Sequence, residues 1–258
     1  YYLLQPLARD VRVFNLLNYI TFRSAAAFVS ALLLTFVFGP VIIRRLRAMA
    51  VHQVVREGTP DTHAGKGTTP TMGGLIILAA TFVPVLLGAR LSNRYVLLAV
   101  AVTAWMGMIG FLDDYLKLKQ KREGKKNEGL VERYKLAGQI TCGLGLGVIL
   151  LLFPVSTLPG ASTTLPFFKY ILVVPAFAWA AWMYIPWVTF ILTGFSNAVN
   201  LTDGLDGLAA GLMAIAVLTL GLFAYVAGRV DTSAYLQIFY MSGAGELTVF
   251  CAAVVGAC

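Results

Sequence analysis

The residues best suited to chemistry lie in one octet, Asn200-Leu201-Thr202-Asp203-Gly204-Leu205-Asp206-Gly207. Two long apolar runs flank it, 170–193 and 208–227, so the octet is predicted to be a short loop at a membrane face. If the loop opens the next helix, its two carboxylates, three residues apart, lie on one side. Its glycines allow a tight turn and a close approach to a ligand. The alternative is a plain helix N-terminus at which acids suit the dipole. The nearby asparagine and a second acidic pair elsewhere favour a functional site.

The second acidic pair, Asp113-Asp114, closes the third apolar run. Adjacent carboxylates at a membrane boundary repel each other, so a cation is expected between them. A divalent metal or a general-base role would use this arrangement. The alternative is an acidic helix end that pairs with the lysines just after it, such as Lys117 and Lys119. Because the octet is predicted at the same face, its carboxylates and this pair together indicate a site for Mg²⁺ and phosphate groups.

A third stretch, Lys-Gly-Thr-Thr-Pro-Thr-Met-Gly-Gly from Lys66 to Gly74, is a flexible cationic lead-in to the second apolar run. It is not a Walker loop, because the Gly-Lys-Ser/Thr order and a preceding strand are absent. Lys66 could contact a phosphate, although a lone lysine here is more often a membrane anchor. Thr71 could contact a ligand or simply cap the following helix. The basic segment 117–135 is interpreted as a solvated loop beside anionic lipid.

The composition predicts an integral membrane protein of the all-α class. Of the 258 residues, 59% are hydrophobic and only 12% are charged, which excludes a soluble domain. The net charge of +8 is concentrated in particular loops, which argues against nucleic acid as a partner and for a topology set by Lys and Arg. Cys142, Cys251 and Cys258 lie in apolar segments without close pairing, so they are predicted to be small buried residues.

The apolar runs predict a polytopic helix bundle with six full transmembrane helices and part of a seventh. The predicted spans are 22–43, 71–89, 95–112, 136–153, 170–193, 208–227 and a last run that begins at residue 247. Pro175 and Pro186 predict a kink in the fifth span, and residues 1–21 predict a short interfacial helix. The last run rises only about 18 Å, against a core of about 30 Å. We therefore expect a single transmembrane catalytic domain over 1–258 that is incomplete at its C-terminus.

The basic residues predict the orientation. The loops after the first, third and fifth runs contain five, eight and no Lys or Arg, which is thirteen of the twenty in the chain. By the positive-inside rule this side is cytoplasmic and the N-terminus lies outside. The acidic motifs are then predicted at the cytoplasmic face, where nucleotide-linked metabolites are found.

At these motifs the chain resembles the polyprenyl-phosphate sugar-1-phosphate transferases, and within them the phospho-N-acetylmuramoyl-pentapeptide transferases. The matching stretches occur in the family's order: Lys66–Gly74, Gly110–Tyr115 and Asn197–Gly207, with shorter matches at Tyr19–Arg23, Gln53–Arg56, Pro166–Lys169 and Ala244–Leu247. The resemblance implies a ten-helix enzyme of the bacterial plasma membrane that acts in peptidoglycan biosynthesis. At the inner face it would convert UDP-N-acetylmuramoyl-pentapeptide and undecaprenyl phosphate into lipid I and UMP. It also implies Mg²⁺ as cofactor and allows a homodimer.

The resemblance further implies roles for individual residues. Asp113 would deprotonate the lipid phosphate, and Asp113, Asp114 and Asp203 would form the catalytic and metal-binding set. The implied substrate-binding residues are Lys66, Thr71, Asn200, Gly204, Leu205 and Asp206. A third key Asp, a uracil-stacking Phe and a His-rich loop of the family would lie beyond Cys258.

Two alternatives stay open at this point. A sister transferase would use UDP-N-acetylglucosamine as its donor, and the His-rich loop would discriminate it. A transporter or flippase would also combine kinked spans with membrane acids, but its acids should lie near the bilayer midplane.

Overall fold

A computed structural model describes residues 12–48, 72–122, 129–154, 162–164, 172–173, 181–203 and 207–258. After a 3-10 helix, Arg12–Asn18, the main helices are α1 (Ile20–Ala48), α2 (Gly74–Gly88), α3 (Arg94–Arg122), α4 (Glu132–Leu152), α5 (Tyr184–Thr202) and α6 (Leu208–Ala227). The short helix α7 (Val230–Leu236), a 3-10 turn (Ala244–Glu246) and α8 (Leu247–Ala257) follow. Two-residue strands, β1 (Thr163–Thr164) and β2 (Leu172–Val173), pair antiparallel.

The all-α membrane class is confirmed. In the part of the chain that the structure describes, four helices are long and apolar enough to cross a bilayer, namely α1, α3, α4 and α6, and α2 and the 244–257 segment are shorter apolar helices. The predicted count of six full spans and the outside position of the N-terminus stay predictions. Within the predicted interfacial segment 1–21, the described residues form the 3-10 helix Arg12–Asn18, and its position at the interface stays a prediction.

Small residues build the main packing core. Helix α8 packs against α1, α2 and α6. The buried core comes from α1, the end of α2, the start of α3 and α8, and it consists of Ala27, Ala31, Ala80, Val85, Ala89, Val96, Val249, Ala253 and Ala257. Alanines let helix backbones approach closely, which is how helices associate in lipid, where the hydrophobic effect offers little between helices. A second pair, α4 with α5, packs separately, and α3 contacts both groups.

One end of the bundle is held by a buried ion-pair group, which we call the Arg23 cluster (Arg23, Arg90 and Glu246). The guanidinium of Arg23 donates to both carboxylate oxygens of Glu246, each at 2.6 Å, and to the carbonyl of Gly88 at 3.3 Å. Nε of Arg90 lies 3.6 Å from Glu246 Oε1. The cluster therefore ties the start of α1 to the end of α2 and the start of α8. The predicted start of the seventh span at Leu247 is confirmed by α8.

The sequence placed two of the helices wrongly. Helix α3 does not end at residue 112 but continues to Arg122, so Asp113 and Asp114 lie inside the helix rather than at its end. The fifth span does not begin at residue 170, because Leu172–Val173 pairs with Thr163–Thr164, and α5 begins only at Tyr184. Pro186 then lies in the first turn of α5, where no intrahelical N–H bond is lost. Ala181 is helical and a turn at 182–183 separates it from α5, while 174–180 lie outside the described residues, so the predicted kink stays a prediction. Pro175 lies outside the described residues.

Candidate active site

The centre of the site is the carboxylate of Asp113 on α3. Its Oδ2 accepts from the ammonium groups of Lys117 and Lys135, each at 2.7 Å. Its Oδ1 accepts from the backbone N–H of Leu130 at 2.8 Å. Asp113 is 8% exposed, whereas about a third of each lysine side chain remains accessible, at 34% and 32%. We call this group the Asp113 cluster (Asp113, Lys117 and Lys135). Because both ammonium groups remain partly accessible, they can also contact an anion from solvent.

The turn before α4 shapes this cluster. Gln120, at the end of α3, accepts from the N–H of Gly129 at 2.9 Å and donates to its carbonyl at 3.3 Å. Gly129 has a φ of +68°, a left-handed conformation that favours glycine. A Cβ at this position would lie 2.6 Å from Asp113 Oδ1. The glycine therefore lets the chain fold back onto α3, and the next residue, Leu130, can donate to Asp113.

Asp114 connects the second motif to the third. Its Oδ2 accepts from the backbone N–H of Met72 at 3.2 Å, and its Oδ1 lies 3.6 Å from Lys117 Nζ. Met72 has a φ of +72°, which is uncommon for a residue with a side chain and is found where the surroundings hold the backbone in place. The structure thus brings Met72 of the third motif against the acidic pair, whereas Lys66 and Thr71 of the same motif lie outside the described residues.

The octet is helical at its start. Asn200, Leu201 and Thr202 form the last turn of α5, and Asp203 ends this helix instead of opening the next one. The expectation of a loop over the whole octet is therefore wrong. Asn200 and Asp203 are both exposed, and α6 begins directly after Gly207. Gly204, Leu205 and Asp206 lie outside the described residues.

Helix pairing brings the octet to the same end of the bundle as the Asp113 cluster. Gln139 of α4 donates to Ser196 Oγ at 3.1 Å and accepts from Asn197 Nδ2 at 2.9 Å, both on α5. Lys135 lies one turn before Gln139, and Asn200 lies one turn after Ser196. Because α4 enters the bundle where α5 leaves it, Asp203 and Asp113 belong to one end. The direct grouping of all the predicted carboxylates stays a prediction.

The described carboxylates do not by themselves complete a metal centre. Among the described residues no group of three or more His, Cys, Asp or Glu side chains is arranged to hold a metal ion. Asp113 is engaged by two ammonium groups and one amide. Oxygen atoms of Asp114 and the exposed Asp203 are donors of the kind that Mg²⁺ prefers. These two residues fit such an ion as part of a larger ligand set.

The sequence interpretation offered Lys117 only as an ion-pair partner in the alternative to a functional site, and it missed Lys135. It assigned segment 117–135 to a solvated loop, and this is wrong for Lys117 and Lys135, which contact the carboxylate directly. One signal was present: a carboxylate and a lysine four residues apart face each other on a helix. Nothing in the spacing linked Lys135 to Asp113, because that contact depends on the turn at Gly129.

Partly accessible lysines around a buried carboxylate, at one end of a membrane helix bundle, suit a membrane-embedded enzyme that acts on phosphorylated groups. The family described as glycosyl transferase family 4 matches residues 96–258. Over all its 258 residues the chain is 88% identical to the phospho-N-acetylmuramoyl-pentapeptide-transferase of Gemmatimonas aurantiaca, covering 68% of that protein. Identity is 47% to the protein of the same name from Pelobacter propionicus and 46% to that from Geobacter sp. (strain M21), with the same coverage of all three relatives.

The chain therefore belongs to the phospho-N-acetylmuramoyl-pentapeptide transferases, within glycosyl transferase family 4. This membership confirms the enzyme class that the motifs indicated and decides against the transporter alternative.

Proposed function

We propose that the chain transfers phospho-N-acetylmuramoyl-pentapeptide from its UDP donor to undecaprenyl phosphate, giving lipid I and UMP for peptidoglycan synthesis. Family membership supports the reaction. The observation that assigns this reaction to a site is the Asp113 cluster, in which two partly accessible lysines contact a buried carboxylate. A soluble nucleotide and a lipid phosphate must meet at a membrane surface, and this cluster lies at one end of membrane-spanning helices.

Asp113 is the proposed base. It takes the proton from the lipid phosphate, and this weakens its ion pairs with Lys117 and Lys135. The two ammonium groups are then available for phosphate oxygens, so that charge is supplied where the anionic reactants need it. An oxygen of the lipid phosphate bonds to the sugar-side phosphorus, and the bond between that phosphorus and UMP breaks. One diphosphate bond is exchanged for another, directly or through a covalent intermediate, so positioning and charge neutralisation are sufficient.

The proposed substrate-binding and metal-binding residues surround this base. Asn200 and Asp203 are exposed at the same end of the bundle. We propose that Asp114 and Asp203, with Asp113 nearby, hold Mg²⁺, which would offset the charge of the phosphates when bound. Lys66, Thr71, Gly204, Leu205 and Asp206 complete the proposed set on the nucleotide side, on the strength of their motifs alone.

The proposed location is the cytoplasmic face of the bacterial plasma membrane, with the N-terminus outside. The charge distribution supports this orientation, since thirteen of the twenty basic residues belong to the loops on that side. The donor is a cytoplasmic nucleotide, which agrees with the same orientation.

The test is product formation by the protein in lipid nanodiscs with undecaprenyl phosphate and Mg²⁺. UDP-N-acetylmuramoyl-pentapeptide should yield lipid I and UMP, and UDP-N-acetylglucosamine should yield no lipid-linked product. The opposite donor preference would support the sister transferase instead. Excess EDTA should abolish turnover and added Mg²⁺ should restore it, and undiminished lipid I formation in EDTA would reject the metal proposal.

A further inference from the structure

The feature that carries a further inference is Gln139, a polar side chain in the interface between α4 and α5. Gln139 is 8% exposed. Its amide donates to Ser196 Oγ at 3.1 Å, and its carbonyl accepts from Asn197 Nδ2 at 2.9 Å. The other bond of Asn197 Nδ2 is to the carbonyl of Thr193 at 2.9 Å, in its own helix. A buried amide with donor and acceptor both used fixes the neighbouring helix in direction as well as in distance.

Two glycines on α4 allow α4 and α5 to pack closely at positions further from the site. A Cβ on Gly143 would lie 2.7 Å from Thr189 Cα, and a Cβ on Gly147 would lie 2.9 Å from Ile185 Cα. These contacts set an antiparallel register in which four residues forward on α4 correspond to four residues back on α5. Apolar packing of this kind resists separation but lets helices slide or rotate more easily than a directional hydrogen bond does.

The same register relates the position of Gln139 to the positions of Lys135 and Asn200. On α4, Lys135, Gln139 and Gly143 are spaced by four residues and share one face. On α5, Ser196, Asn200 and Asp203 are spaced by four and three residues and share one face as well. The glycine contacts, continued toward the helix ends, place Lys135 level with Asn197 and within about one turn of Asn200. Lys135 in turn holds Asp113.

We propose that Gln139 is a positioning residue for the transfer reaction. Its two bonds keep the last turn of α5, with Asn200 and Asp203, level with the Lys135–Asp113 pair on the other helices. Gln139 acts through its neighbours and touches no reacting atom. This inference rests on the proposed function of the site, but its structural part, the register between α4 and α5, can be measured without any turnover.

The kinetic test compares two variants of α4 in nanodiscs. Gln139→Leu keeps the side-chain volume and removes both bonds to α5, whereas Thr141→Val removes a hydroxyl that bonds only within α4, to the carbonyl of Ala137. We expect Gln139→Leu to lower kcat about 10- to 100-fold, as misplacement of reacting groups by about an ångström does. The donor KM should rise as well, because Asn200 is a proposed substrate-binding residue, and the unfolding temperature should change little. Thr141→Val should match the unchanged protein in all three quantities.

The swap Gln139→Asn with Asn197→Gln provides the rescue. It moves one methylene from α4 to α5 and keeps the combined reach, so kcat should recover most of the loss. A Gln139→Leu variant with full kcat would overturn the proposal. It would also be overturned if activity fell only in proportion to the amount of folded protein, or if the swap rescued nothing while it folded normally.

A cross-linking test separates this inference from the proposed function. With the three native cysteines replaced by alanine, Lys135→Cys and Asn200→Cys should cross-link readily through a short bifunctional reagent. Adding Gln139→Leu should lower the yield several-fold, and adding Thr141→Val should not. Equal yields would reject the positioning role even in an active enzyme. Conversely, a lower yield combined with no lipid I formation by the protein without any of these substitutions would leave the register standing and reject the proposed function.

Discussion

The Arg23 cluster and the Asp113 cluster lie at opposite ends of the same bundle and use the same kinds of groups in different ways. Asn93, which bonds to the carbonyl of Gly243 at 2.9 Å, places the start of α3 beside the Arg23 cluster. Asp113 lies 19 residues along that helix from Arg94, which is about 29 Å. In the Arg23 cluster, the side chains of Arg23 and Glu246 are 0% and 6% exposed. In the Asp113 cluster, both lysines are about one-third accessible.

The comparison shows that the exposure of the charged side chains distinguishes a structural ion pair from a reactive one. Both oxygens of Glu246 are taken by Arg23 in a two-point contact, between residues 223 apart in the chain. A closed pair of this kind has no capacity left for a ligand, and losing one partner leaves a buried charge. In the Asp113 cluster both lysine side chains remain partly open to water. The cluster can therefore exchange partners, which binding and proton transfer require.

The largest effect is expected from breaking the closed pair. Glu246→Gln should lower the free energy of unfolding by about 3–5 kcal/mol, because Arg23 is left buried without its counter-charge. Turnover per folded molecule should stay the same, since the Arg23 cluster is far from Asp113. The measurement is chemical unfolding in detergent beside lipid I formation. Asp231→Asn is the matched control, because its pair with Arg229 is exposed and should contribute less than about 1 kcal/mol.

Disrupting the Asp113 cluster should instead lower turnover strongly and stability only slightly. Asp113→Asn should lower kcat by about 10²–10³, because the base is lost and the lysines lose the group that positions them. The unfolding free energy should change less than in Glu246→Gln, since the remaining lysines can be solvated. Assays of Asp113→Asn, Asp203→Asn and Asp231→Asn in parallel check this. Equal turnover of all three would show that the site is assigned to the wrong residues.

A smaller effect is expected at the turn that completes the open cluster. Gly129→Ala puts a Cβ 2.6 Å from Asp113 Oδ1 and forces an L side chain into a φ of +68°. The backbone strain costs about 1–3 kcal/mol and should displace Leu130 and Asp113. We expect kcat to fall about tenfold, with a modest loss of stability. Gly145→Ala is the control, because no atom lies within 4 Å of its added Cβ. Similar kinetics for both variants would contradict the role given to the turn.

The sequence by itself determined the class of the protein, the bounds of one membrane helix and the family. Apolar length is a local property, and this is why the predicted run 208–227 and helix α6 (Leu208–Ala227) have the same bounds. The three motifs likewise identified the transferase family, because they are read directly from residue order. Asp113 and Asp203 were also found in this way, and their roles stay predictions.

The tertiary structure alone decided which charges meet. Helix α3 runs on through charged residues to Arg122, because Lys117 pairs with Asp113 within the helix and Gln120 holds the returning turn. The start of the predicted fifth span is a strand in the structure, because Leu172 and Val173 pair with β1. Lys135 and Glu246 gained their partners through packing between helices. Local composition sets where a helix can lie in a membrane, but contacts between distant residues depend on how helices pack, and no local pattern records that.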